Sequence, residues 1–151
     1  MTRHFRLQSV LEHKQQQEQQ QARALSALEV ACARTRAALD ALRSEEEEQL
    51  GRIADIARGG PLDPEAYRTA TSYLGSIEGS IAEQRTALTE AEERAVEGRD
   101  ALLAILKEKR SLERLRERQG AEADRDDARR EASRVDEFTS ARYARRAVEG
   151  I

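Results

Sequence analysis

Apolar residues return along this chain at alternating steps of four and three, and a single Gly-Gly-Pro break divides the series in two. Before the break the occupied slots are Leu7, Leu11, Leu25, Leu28, Cys32, Leu39, Leu42, Ile53 and Ile56. After it they are Leu74, Ile77, Ile81, Leu88, Ala91, Ala95, Leu102, Ile105 and Leu112. That spacing keeps side chains on one side of a supercoiled helix. Gly59-Gly60-Pro61 cannot sit inside a helix, whereas Asp63-Pro64-Glu65 reads as a fresh start. Asp63 is the expected N-cap, Pro64 the first helical residue and Glu65 a first-turn acid. Two long helices joined by a short turn lie antiparallel. The expected fold is therefore all-α, a long antiparallel two-helix coiled-coil hairpin with a longer second helix. Its first arm covers 3–57, the turn 58–63 and the paired second arm 64–118, leaving 119–151 as a charged helical overhang or a frayed tail.

Composition fits that architecture better than a globule. Hydrophobic residues make up 38% of the 151 and charged residues 36%, with no Trp, two Phe and three Tyr. A seam between two helices needs only about two apolar positions in seven, and this chain has little more to give. The net charge of −3 comes from interspersed acids and bases, which argues against a nucleic-acid partner because such binders present a basic face. The lone Cys32 falls in the seam, where a small buried apolar role suits it and a reducing compartment is expected. No apolar run approaches the roughly 20 residues that span a bilayer, and the basic start Arg3-His4-Phe5-Arg6 lacks the apolar core of a signal peptide. A cytoplasmic protein without membrane insertion is expected.

The seam has soft patches at Lys14/Glu18/Gln21 and at Glu46/Gln49. The first lies in the run Gln15–Gln21, which reads as solvated continuing helix, with a local widening that admits a partner as the alternative. Glu45 to Glu48 reads as a solvated face, or else as an acidic docking patch. On the second arm the seam weakens after Leu112 and Leu115 for a geometric reason. If facing residue numbers sum to about 121, Leu7 lies opposite Arg114 and the first arm has run out. The sequence beyond turns to charge, where Asp126 with Arg129 and Arg130, and Asp127 with Arg130, would each support a lone helix by ~0.2–0.5 kcal/mol. Gly75 and Gly79 fall on outward positions and read as tolerated surface glycines.

Chemistry-bearing constellations are absent from the sequence. His4 and His13 stand without metal-spaced companions, Gly59-Gly60-Pro61 lacks the Lys-Ser/Thr of a phosphate loop, and no carboxylate pair can be singled out. No catalysis, cofactor or metal is expected. Binding features are few. Phe5 stands at the open end and either caps the coil or meets a partner. Tyr73 flanks the seam near Ile77, Leu42 and Glu48, where it either shields the seam or anchors a partner. Val135, Phe138 and Tyr143 on the overhang read as a docking stripe, because Val135 and Phe138 share a face.

The opening Phe5-Arg6-Leu7-Gln8-Ser9-Val10-Leu11-Glu12 resembles that of the flagellar export protein FliJ family. The block Lys107–Arg118 is similar to that family's Lys-rich, Leu-Glu-Lys/Arg-Leu segment. Arg129-Arg130-Glu131 and Asp136-Glu137, followed by Arg142, Arg145 and Arg146, resemble its charged C-terminal signature. The Gln-rich run departs from the pattern. The resemblance implies a non-enzymatic stalk of the flagellar type III export apparatus, peripheral at the cytoplasmic face of the basal body. It implies three partners: a hexameric export ATPase, the cytoplasmic domain of a membrane export-gate protein, and export chaperones. Carried onto this sequence, the ATPase contact falls on Phe5, Leu7, Leu11, Arg129, Arg130 and Phe138, and the gate contact on Leu42, Tyr73 and Ile77. A generic coiled-coil scaffold and the equivalent stalk of a virulence-type secretion system are the alternatives.

Overall fold

A computed structural model describes residues 5–150, and two helices account for nearly all of them: α1, Gln8–Arg58, and α2, Pro64–Glu149. They pack against each other as an all-α two-helix hairpin. The second helix is the longer, with 86 residues against 51. Helix is what the composition dictates, since α1 contains no proline and one glycine among residues dominated by Ala, Leu, Gln, Glu and Arg. The chain reverses where the helix-breaking residues stand. Gly60 takes φ +108°, a left-handed conformation that a side chain would strain. The carboxylate of Asp63 then accepts the Glu65 N–H at 3.0 Å, and its carbonyl accepts the Tyr67 N–H at 3.1 Å. Asp63 thus caps α2 as expected, and Pro64 opens the helix.

The chain divides into two compact units: one of Gln16–Ile105, the other of Met1–Gln15 together with Leu106–Ile151. Within Gln16–Ile105, every apolar residue assigned to the seam is buried or half-buried. Leu39, Ile77 and Ile81 form the core cluster, with Leu42 and Leu88 packed against it. Burying a Leu or Ile side chain contributes about 1.5–3 kcal/mol, so this cluster is the main apolar anchor of the unit. Cys32 and Ala95 are also buried. So is Ala70, which extends the seam one slot nearer the turn than the sequence reading carried it.

The polar seam residues fix the register. Buried Gln49 donates from Nε2 to the Ala70 carbonyl at 3.0 Å, and Gln21 donates to the Gly98 carbonyl at 3.2 Å. Both pairings stand close to the expected facing sum. Gln21 is therefore a seam residue with a partner across the hairpin, and the Gln run is more than solvated helix. Gln17 Oε1, by contrast, is buried without a hydrogen-bond partner. Gly98 is buried in the seam as well, and a β-carbon there would meet Leu25 Cδ1 and Leu28 Cδ1 at 3.5 Å.

In the other unit Leu11 is fully buried, Phe5 is buried and Leu7 is half-buried. The Gln8 N–H bonds the Phe5 carbonyl at 3.0 Å and the Leu11 N–H bonds the Leu7 carbonyl at 2.9 Å, which closes the first turns of α1. Lys14 forms an ion pair with Glu108 across the helices, so this polar seam slot is filled by opposite charges. On α2, Gly120 and Ala123 are the last half-buried residues, and from Asp124 to Gly150 every residue is exposed. The helix nevertheless continues to Glu149, so the overhang is helical and not frayed. Ion pairs at i,i+3 support it: Arg129 with Asp126 at 3.9 Å, Arg130 with Asp127 at 4.0 Å and Arg134 with Glu131 at 3.9 Å.

Candidate functional site

Of the residues assigned to an ATPase contact, Phe5, Leu7 and Leu11 all lie at the start of the chain, and the structure turns them inward. Leu11 exposes 0% of its surface. These side chains stabilise the open end, and only the half-buried Leu7 retains an edge toward solvent. The overhang residues behave oppositely. Phe138 is 70% exposed, and Arg129 and Arg130 extend their guanidinium groups into solvent while engaging Asp126 and Asp127. A 70%-exposed phenyl ring on an otherwise charged helix has no packing role in this chain.

The three residues assigned to the gate contact separate in the same way. Ile77 is 3% exposed and belongs to the core cluster; Leu42 packs against that cluster from its rim. Tyr73 is exposed, and its hydroxyl donates to the Glu45 carboxylate. That bond, with the negative charge of Glu45, raises the Tyr73 phenol above its ordinary pKa. The sequence reading placed Tyr73 near Glu48. The heptad explains the difference, since Glu45 and Tyr73 both occupy position g beside the seam and so share a flank, whereas Glu48 at position c points outward and pairs with Arg52 at 3.9 Å. The acidic run is thus divided: Glu45 holds Tyr73, Glu46 is half-buried in the seam, and Glu47 and Glu48 are exposed.

The opposite flank carries a shallow groove that the sequence reading missed. Its floor is Cys32 and Ala95, two small buried seam residues, one from each helix, beside Val96. Two ion pairs bracket it, Arg36 with Glu92 at 2.8 Å and Arg99 with Glu29 at 3.2 Å. The Glu92 carboxylate raises the Arg36 pKa further, first through its hydrogen bond and then through its charge. Heptad positions e of both helices would have shown these pairs in advance. All four charges are satisfied within the hairpin, so the bracket holds register and leaves no unpaired charge for a ligand. Among the described residues, no group of three or more His, Cys, Asp or Glu is arranged to hold a metal ion. No described helix is long and apolar enough to cross a membrane.

A seam one residue deep, charge pairs along its flanks and large apolar side chains displayed on an unpaired helix define a class: an all-α helical-hairpin protein with an exposed, aromatic-bearing arm. Residues 3–148 match the family described as FliJ, flagellar FliJ protein, and the chain belongs to that family. It is a component of the flagellar export apparatus. Comparison with curated proteins and with solved structures gives no match.

Proposed function

We propose that this chain is a non-enzymatic stalk that binds and promotes the hexameric export ATPase and links it to the export gate and to export chaperones. It works in the cytoplasm, at the face of the flagellar basal body. The observation that carries the reading is the contrast along α2. Up to Ala123 the helix keeps half-buried positions, and beyond it Phe138, Arg129 and Arg130 are displayed on bare helix. A ring-shaped partner that receives a projecting helix gives those side chains a function that packing does not. Phe5 and Leu11 contribute by keeping the open end paired, and Leu7 by its exposed edge.

The gate contact falls on the flank of Tyr73, which combines an aromatic ring with a fixed hydroxyl, and on the rim of Leu42. Ile77 acts from beneath, by holding the core that positions both. The ATPase contact is tested by the double variant Phe138→Ala with Arg130→Ala, neither of which touches the core. Co-elution with the export ATPase on size exclusion is expected to fall by about tenfold in apparent affinity, as loss of an interface anchor does, with helix content unchanged. Undiminished co-elution and ATPase stimulation refute the overhang contact.

A further inference from the structure

The last turns of α2 carry a feature of which the stalk reading uses Phe138 alone. Phe138, Thr139, Arg142, Tyr143 and Arg146 line one shallow recess on the helix surface. At 3.6 residues per turn these side chains occupy an arc of about 140°, with Arg142 and Arg146 one turn apart on the line between the two rings. Phe138 and Tyr143 are each 70% exposed. From Phe138 to Val148 the sequence has three arginines and no acid, the flanking acids being Glu137 and Glu149. The contrast with the preceding turns is sharp. Arg129, Arg130 and Arg134 are each held by an acid three residues earlier. Among the described residues, neither Arg142 nor Arg146 is in an ion pair. A cation near a helix C-terminus interacts favourably with the helix dipole, which accounts for Arg146 alone and for neither ring.

We propose that Phe138, Arg142, Tyr143 and Arg146 form a docking face for an acidic amphipathic helix of a partner protein, one whose carboxylates stand one turn apart on an apolar face. The charge dictates the acid, because two unpaired guanidinium groups one turn apart match carboxylates at i,i+4, each able to accept two N–H bonds. The rings dictate an apolar surround, since aromatic and arginine anchors together are the usual centre of a protein interface. The order around the helix decides against a lipid surface. A helix lying in a membrane keeps its basic side chains apart from its apolar face, whereas here the arginines stand between the aromatics. The proposal goes beyond the stalk reading and holds for any partner that carries such a helix.

The test uses the full-length chain and no ATPase, so it stands or falls apart from the stalk reading. A fluorescein-labelled synthetic helix of about five turns, with Glu at i,i+4 among leucines on one face, is titrated by anisotropy. Its isomer, with the glutamates moved to the opposite face, is titrated in parallel. Saturable binding of the first is expected, at least about tenfold tighter than of the isomer, and weakened by at least about tenfold in Arg142→Gln with Arg146→Gln. Removing the same charge elsewhere, by Arg125→Gln with Arg134→Gln, is expected to change affinity less than about threefold. Absence of binding, equal binding of the isomer, or equal loss in both double variants overturns the proposal. So does sedimentation with phosphatidylserine vesicles that depends on Phe138 when the peptide does not bind, which assigns the face to a membrane.

Discussion

Replacing Gln49 with leucine separates what the seam needs for stability from what it needs for register. Gln49 is 5% exposed, and its side chain donates one hydrogen bond, 3.0 Å long, to the Ala70 carbonyl. A neutral hydrogen bond of this kind contributes about 1 kcal/mol net. Its loss leaves no orphan, because Ala70 lies inside α2 and its carbonyl keeps its acceptor role in the helix ladder. Leucine has nearly the volume of glutamine, and burying it contributes about 2 kcal/mol. The variant is therefore expected to gain about 1 kcal/mol, which raises Tm by about 2–4 °C for a chain of this size. Thermal and urea unfolding followed by circular dichroism at 222 nm measure both quantities. A loss of about 1 kcal/mol or more refutes the reasoning, and shows that the amide makes contacts worth more than its one hydrogen bond. A gain identifies Gln49 as a residue kept for alignment at the expense of stability, as single polar seam residues are in other coiled coils.

Other positions give equally definite expectations. Gly75→Ala and Gly79→Ala place a methyl group where nothing lies within 4 Å, so each is expected to stabilise the chain by about 0.5–1 kcal/mol in the same unfolding assay. Ile77→Ala removes a side chain from the core cluster and is expected to cost about 2–4 kcal/mol. Tyr73→Ala, on the exposed flank, is expected to leave Tm nearly unchanged while weakening gate binding in a pull-down with the gate's cytoplasmic domain. Spectrophotometric titration at alkaline pH should show a phenol component for Tyr73 above its ordinary range, because the hydrogen bond and charge of Glu45 raise its pKa. The late component should vanish in Tyr73→Phe and move earlier in Glu45→Gln. The sign for stability follows: the neutral phenol is favoured in the folded chain, so this contribution is complete below the ordinary tyrosine range. It is lost as pH rises through the raised value.

The hairpin was legible because heptad spacing, a Gly-Gly-Pro break and an Asp-Pro-Glu start are local signals that all point to one fold. The slots from Leu7 to Ile56 and from Leu74 to Leu112 are each buried or half-buried in the structure. The fading of the seam past Leu115 marked where α2 becomes exposed. Gly98 was harder to read, because a glycine's composition signals helix weakness and only the seam count shows that it fills an inward slot. The groove over Cys32 and Ala95 depends on small residues from two helices lining one recess, a property of register that neither helix carries alone. For the candidate site, exposure was the missing quantity. Phe5, Leu11 and Ile77 resemble Phe138 and Tyr73 in residue type, and only packing separates those that hold the hairpin from those free to meet a partner.

The central claim is that the unpaired end of this hairpin engages the export ATPase, and an ATP-hydrolysis titration tests it most directly. Truncation after Arg118 removes the exposed helix but none of the buried residues of the core, so the shortened chain keeps its fold. Full-length protein is expected to stimulate the cognate export ATPase saturably, and the truncated chain to lose that stimulation while keeping the helix content of its remaining residues. Stimulation by the truncated chain equal to that of the full chain, or none by either, contradicts the account.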